Sequence, residues 1–228
     1  MAHYELPAIS ALFLAKFDQK VGYTIAWKRT VESLDLDGVE YQCLPSGLHS
    51  VQEDLVYFTK DQYAGISAFV QGDADEQHRN AAFAAVGVLL PQSSGRVARS
   101  SLYAEALRGL ARDVVGTPEN LDGLKSFWEQ HGRANGASEP PSLALGKSLS
   151  PEGSKRRQIG SEATEVLQME NRIPSDHPAL SMPALLVTFG PLIFPLQRAA
   201  LLRKRILLLG TTPVQLACNI GVLEPDWS

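Results

Sequence analysis

The chain has 228 residues, 44% of them apolar and 20% charged, which is enough mass for a sizeable core in one large domain or a smaller domain with added elements. Lys and Arg number 21 against 25 Asp and Glu, a formal net charge of −4, so no global basic field exists and nucleic acid is not expected as the main partner. Cys43 and Cys218 stand far apart with no CxxC or Cys/His spacing, which speaks against a disulfide framework and against a zinc site.

The first residues, "MAHYELPAIS", lack a charged region followed by an apolar one, so secretion is not expected. The apolar segments nearer the C-terminus are interrupted by Pro195, Gln197 and "RKR", and they read as too short to span a bilayer. The expectation is a cytoplasmic chain with at most peripheral contact to endomembranes.

Residues 9 to 18, "ISALFLAKFD", alternate so that both faces are apolar, the pattern of a strand inside a sheet. "YTIAW", residues 23 to 27, reads as its hairpin partner, with Gly22 free to take a positive φ in the turn. Residues 44 to 55 read as an irregular stretch with a short helix, capped by Ser46 or Ser50. "VYFTK" and "YAGISAFV" make a second hairpin about "DQ", and residues 81 to 91, "AAFAAVGVLLP", make a fifth strand in which Gly87 marks a bulge or a close backbone approach.

The apolar period then lengthens from two to nearly four. Leu102, Tyr103, Ala106, Leu107, Leu110 and Val114 line one helical face behind the candidate caps Ser100 and Ser101, and Gly116 suits the stop. A second helix is predicted from Thr117 as N-cap and Pro118 as first helical residue, with Leu121, Leu124, Phe127 and Trp128 as its buried stripe. Five strands and two helices give a compact α/β sandwich ending near His131.

Between Arg133 and Asp176, Ser, Gly and Pro are frequent and aromatic residues are absent. Such a stretch offers little apolar area against an ordering cost of roughly 1–2 kcal/mol per residue, so it reads as a disordered linker. Its "KRR" at 155 to 157 reads as a solvated run balanced by nearby acids. Order is expected to return in residues 182 to 203, helix-like but kinked or divided by Pro191 and Pro195. "ILLL", residues 206 to 209, has the composition and length of a buried parallel strand. There is no internal repeat.

A short apolar run, Gly210 and a helix-like segment form the layout of a phosphate-binding strand-loop-helix. The loop "GTTPV" nevertheless has one glycine, no lysine, and a proline where an N–H donor is required. The better reading is structural, with Thr212 capping the helix and Pro213 beginning it. Ser46 and His49 lie close together, but no nucleophile elbow surrounds them. The histidines at 3, 49, 78, 131 and 177 show no metal-ligand spacing. Glu53 and Asp54 are adjacent, so on a helix they diverge by ~100° and cannot both face one substrate. No catalytic, cofactor-binding or metal-binding residue is assigned. Arg198, Arg203, Lys204 and Arg205 form the densest charge feature, readable as helix C-terminal cations or as a basic contact patch for an acidic partner or a phosphoinositide.

"FLAKFDQKVGYTIAW", "LDGVEYQCLPSGLHSVQEDLVYF", "HPALSMPALLVTFG" and "LLRKRILLLGTTPVQLAC" together resemble the N-terminal part of DENN-domain proteins, nearest the LCHN-like branch and its fungal relatives. The resemblance covers about residues 9–131 and 177–223. It implies a longin-type uDENN module in 1–131, with a five-stranded antiparallel sheet flanked by helices. A linker in 132–176 and the start of a central DENN domain in 177–228, truncated here, would follow. The implied partner is a Rab-family small GTPase, and the implied activity is non-hydrolytic guanine-nucleotide exchange in vesicle traffic, with no cofactor and only in the full-length protein. The rival reading is a noncatalytic longin scaffold pairing with another longin-type protein.

Overall fold

The computed structural model of the chain describes residues 6–18, 20–31, 34–47, 50–72, 83–92, 97–132 and 176–223. Both hairpins expected from turn chemistry form: β1 (Ala11–Asp18) with β2 (Gly22–Thr30), and β3 (Glu53–Lys60) with β4 (Tyr63–Gln71). Gly22 takes a φ of 91° and Asp61 one of 52° in the two turns, the left-handed conformation that a tight reversal demands. β5 (Phe83–Pro91) lies between β1 and β4 and is antiparallel to both, which gives the order β2-β1-β5-β4-β3. With its helices this five-stranded antiparallel sheet is a mixed α/β, longin-like fold.

The double-sided apolar pattern of the inner strands builds two cores. Leu12, Leu14, Ile66, Val86 and Val88 face helices α2 (Ala104–Gly116) and α3 (Asp122–His131), which contribute Leu107, Ala111, Val114 and Leu124. Phe13, Ala15, Phe69, Ala85 and Leu89 face the other way, against Leu36, Val39, Cys43 and Val51 of the short helix α1 (Val39–Gln42) and its flanks. A bulge on β2 keeps both sides filled. Leu14 pairs with Trp27 and Ala15 with Ile25, leaving Ala26 extra, so Trp27 packs into the α2 side while Ile25 and Tyr23 pack into the α1 side.

Several boundaries differ from the sequence reading. A short helix that the sequence reading did not expect lies at 39–42, ahead of residues 44 to 55, and Ser67 Oγ donates to the Cys43 carbonyl at its end. Ser50 itself is in 3-10 geometry and its Oγ donates to the Gly47 carbonyl at 2.8 Å, while positions 48 and 49 of the expected short helix lie outside the described residues. Ser100 and Ser101 sit inside a 3-10 turn, Val97–Tyr103, that leads into α2. α3 begins at Asp122 instead of after Thr117: the Thr117 hydroxyl donates back to the Asp113 carbonyl at 2.9 Å, while Asn120 Oδ1 accepts the Asp122 N–H at 3.0 Å. The predicted stripe survives this shift, with Leu124 buried and Leu121, Phe127 and Trp128 packed against the core. Residues 133–175 of the predicted linker, "KRR" included, and Ala81 and Ala82 of the fifth strand lie outside the described residues.

After Asp176 the chain forms α4 (Met182–Phe189), a 3-10 turn (Gly190–Leu192), α5 (Ile193–Leu201) and α6 (Gln215–Leu223). Gly190 (φ 49°) and Pro191 divide the helical region as expected, whereas Pro195 is accommodated in the first turn of α5, where no intrahelical N–H is needed. Contrary to expectation, the 24 residues Pro178–Leu201 are long and apolar enough, by length and composition, to cross a membrane. The Gly190 break leaves helices of 8 and 9 residues, each about 12–14 Å long at 1.5 Å per residue.

The predicted buried strand at 206–209 is not formed. Those residues form no regular element, neither outer strand of the sheet pairs with them, and Leu207 and Leu209 are 81% and 88% exposed. Their composition suits a strand, but strand formation requires a neighbour to take up the backbone groups.

Two glycines admit aromatic rings across the sheet. Phe13 stands opposite Gly87 and Phe58 opposite Gly65, each ring lying where a Cβ would project, and the two rings meet edge to face at 6.2 Å. Gly87→Ala is therefore expected to destabilise the fold by about 1–3 kcal/mol through overpacking, read by denaturant unfolding. Gly109→Ala, with open space at its Cβ position in α2, should stabilise by about 0.5–1 kcal/mol in the same measurement.

Candidate functional site

The adjacent carboxylates of β3 have separate tasks. They do diverge, through strand alternation and not the helical geometry assumed from the sequence. Glu53 meets Arg112 of α2 in a two-pronged pair of 2.7 and 2.6 Å, and the Arg112 hydrogen bonds hold its carboxyl below the usual range. Both side chains are substantially exposed, so the pair contributes at most about 1 kcal/mol. Asp54 is 1% exposed. It accepts the N–H of Leu55 at 2.9 Å, of Val214 at 2.7 Å and of Gln215 at 3.0 Å.

Asp54 thus caps α6 from 160 residues away, a role the sequence reading gave to Thr212. Thr212 Oγ1 instead lies 2.9 Å from Ser50 Oγ, and the helix starts at Gln215 instead of Pro213. A helix N-terminus attracts an anion because its first amides are unpaired and its dipole points there. Here the anion is the chain's own carboxylate, which answers the resemblance of the 206–223 region to a phosphate loop.

A second polar joint lies beside this cap. Arg108 of α2 donates to Gln215 Oε1 at 2.9 Å and pairs with Asp176 at 3.3 Å, and Gln215 Nε2 reaches the same carboxylate at 3.3 Å. Asn219 of α6 donates to Ser181 Oγ at 2.9 Å. Burial, then the Asp176 charge, pushes the Tyr57 phenol well above its ordinary range, and burial raises the Cys218 thiol. His177 Nδ1 accepts the Ala179 N–H at 3.1 Å and so caps the 3-10 turn Pro178–Ser181; burial lowers its pKa.

Among the described residues these groups serve caps, ion pairs and packing. Ser46 lies on an exposed turn, and His3, His49 and His78 fall outside the described residues. His131 packs against Phe127 and Tyr103 at 4.6 and 5.7 Å between ring centroids. Burial pushes the Cys43 thiol up to about 12, which leaves negligible thiolate at neutral pH. Among the described residues no cluster of three or more His, Cys, Asp or Glu is placed to hold a metal.

What the C-terminal segment does present is surface. α5 closes with the Lys204 N–H on the Ala199 carbonyl at 3.0 Å and the Arg203 N–H on that of Ala200 at 2.8 Å. Arg203 itself adopts a left-handed φ of 53°, the paired closure more often made by glycine. This gathers Arg198, Arg203, Lys204 and Arg205, all exposed, at the helix C-terminus, where each cation gains ~0.3–1 kcal/mol from the dipole. Earlier in the same segment Val187 and Phe194 are 87% and 71% exposed. Sequence reasoning missed this apolar exposure, although α4 and α5 are apolar nearly all round, a composition that requires cover on more than one side.

Asp54→Ala is expected to destabilise by about 2–3 kcal/mol, combining a lost cap with unpaired amides, and hydrogen exchange should show the Val214 and Gln215 amides deprotected. Asp54→Asn, which keeps one acceptor, should lose roughly half as much. His177, whose folded pKa is lowered, contributes stability that is complete above its unfolded pKa of about 6.5 and lost as pH falls below it. Melting temperature should drop between pH 7.5 and 5.5, and His177→Asn, a cap that does not titrate, should flatten that slope.

A family model described as DENN domain-containing protein 11 matches residues 12–222, from β1 into α6. DENN domain-containing protein 11 of Xenopus laevis is 32% identical over 215 residues, covering 92% of this chain and 44% of that protein. Its counterpart in Mus musculus is 29% identical over 217 residues, with 92% and 43% covered. An uncharacterized Saccharomyces cerevisiae protein, ANR2, is 27% identical over 237 residues, with 90% and 42% covered. The chain thus spans less than half the length of these relatives. A match that runs through the sheet, its covering helices and the α6 cap shows that the chain belongs to the DENN-domain family, in the group of DENN domain-containing protein 11.

Proposed function

We propose that the chain is the N-terminal part of a DENN-type regulator of Rab small GTPases, which docks on the GTPase and promotes guanine-nucleotide exchange in membrane traffic when the whole protein is present. The observation that carries this reading is the family match over residues 12–222. Residues 1–131 are taken as the longin-like uDENN module and 177–228 as the start of the central DENN domain, joined by 132–176. Exchange works by competition of surfaces: a protein that binds the switch regions better without nucleotide than with it lowers nucleotide affinity by that difference. Such a mechanism calls for a rigid docking face and no nucleophile, in keeping with titratable groups that cap helices and fill cores. Arg198, Arg203, Lys204 and Arg205 are the proposed basic contacts for an acidic partner surface.

A second reading is favoured by β2, an outer strand of 9 residues without proline. Its free edge suits strand addition by another longin-type subunit, which would make the chain a scaffold. Release of labelled GDP from a Rab panel, measured with the chain and with the full-length Xenopus laevis relative, separates the two. Acceleration of at least about tenfold by the full-length protein, equal to roughly 1.4 kcal/mol off the release barrier, is expected for one Rab or a few. Binding indifferent to nucleotide state, with no acceleration, would replace exchange by the scaffold reading.

A further inference from the structure

Ser50 stands where the sheet meets the C-terminal segment, in the sequence "SVQED" (residues 50–54) that leads into β3. It is exposed, yet its Oγ makes two contacts, one at 2.8 Å with the Gly47 carbonyl and one at 2.9 Å with Thr212 Oγ1, 162 residues away. A carbonyl can only accept, so the Ser50 hydrogen is committed to Gly47 and Thr212 is the donor in the second contact. The fit is close: a Cβ at Gly47 would lie 3.3 Å from Thr212 Cγ2 and 3.5 Å from Ser50 Oγ. Two and three residues after Thr212 come the Val214 and Gln215 amides that Asp54 caps. An exposed serine with a carboxylate three residues later also has the pattern read by acidophilic kinases, whose basic pocket takes an anion at that fixed reach. Glu53 supplies it, with a side chain 31% exposed. Asp54, buried, lends nothing to such a pocket.

We propose that Ser50 is a phosphorylation site, and that phosphate on its Oγ releases residues 212–223 from the sheet. An acidophilic kinase transfers the γ-phosphoryl of ATP to Oγ: a P–Oγ bond forms, the bond from the γ-phosphorus to the bridging oxygen breaks with ADP leaving, and the hydroxyl proton goes to solvent. The product is an ester oxygen without hydrogen, so the Gly47 carbonyl loses its donor whatever rotamer the side chain takes. A group carrying about −1.5 to −2 charge at neutral pH then stands against Thr212, in the joint that already holds the Asp54 carboxylate, and like charges repel. A helix N-terminus with free amides would welcome a phosphate. Here Val214 and Gln215 are taken by Asp54, and residue 213 is a proline with no N–H to offer. Repulsion and the lost donor therefore prevail. The proposal makes no use of nucleotide exchange, so a negative GDP-release result would leave it standing.

The folded chain is incubated with a purified acidophilic serine/threonine kinase and labelled ATP, and a chain with phosphoserine installed at position 50 by codon suppression is compared with the unmodified one. Label is expected on Ser50, absent in Ser50→Ala and reduced at least about fivefold in Glu53→Gln, which removes the anion the kinase reads. In the phosphoserine chain the Val214 and Gln215 amides should exchange at least about tenfold faster, while those of Leu14 and Val86 in the sheet keep their rates. Treatment with a phosphatase should restore slow exchange. The proposal is overturned if the folded chain takes no label at Ser50, or if the phosphoserine chain exchanges at 214 and 215 no faster than the unmodified one. Equal acceleration of the sheet amides, which marks global unfolding instead of release, would equally overturn it.

Discussion

Asp54 is a charge that the molecule has removed from water. Its carboxylate, 1% exposed on β3, would be costly by several kcal/mol if left unpaired, and two of its three amide partners come from Val214 and Gln215. β3 can hold a buried carboxylate only while α6 is docked, and α6 keeps its first amides satisfied only while β3 presents the carboxylate. The neighbouring Glu53–Arg112 pair is shorter, at 2.6 Å, and yet counts for less, because both its members remain solvated. Burial decides which of two adjacent carboxylates organises the fold.

The docking of residues 176–223 on the sheet is directed mainly by polar contacts of this kind. The segment buries few residues fully, among them Pro178, Leu185 and Ile220. Against that modest apolar area stand the Asp54 cap, the Arg108–Asp176–Gln215 triangle, the Ser50–Thr212 contact and the Asn219–Ser181 bond. Apolar area tolerates sliding, whereas buried hydrogen bonds hold only in one geometry. The consequence is a second unit set at a defined angle to the sheet, with the apolar sides of α4 and α5 turned outward.

What could be read from the amino acids follows from the range of the interactions involved. The five strands, their two hairpins and the double-sided core were readable because alternation in "ISALFLAKFD" and "AAFAAVGVLLP" and turn residues such as Gly22 act locally. The family resemblance drew on the first of these blocks and on segments further along, among them "LLRKRILLLGTTPVQLAC". Helix starts were read less well. Thr117 and Thr212 are good caps in isolation, but Asn120 competes two residues from its target and Asp54 competes from across the fold. α1 is too short to carry a period. The composition of 206–209 suggested a strand that does not form, since pairing needs a neighbour that no local window specifies. The basic cluster was visible as charge density, and its exposure agrees with that; what it touches depends on a partner surface that the chain does not encode.

Both faces of the sheet are occupied, one by α2 and α3 and the other by α1 with its flanking loops. A protein partner therefore cannot lie across the strands, as it does on open sheets. Among the described residues the surfaces left are the outer edge of β2, the outer sides of the helices, the apolar face of α4 and α5, and the basic cluster at the end of α5. These differ in what they ask of a partner. The β2 edge asks for an extended backbone, the helix exteriors for matching charge, and the α4–α5 face for apolar cover. That last demand is the most exacting and suits a permanent contact better than a transient one, because exposing the face again would return the leucines to water. A partner that must bind and leave is better served by polar helix exteriors, where contacts form and break without exposing a core.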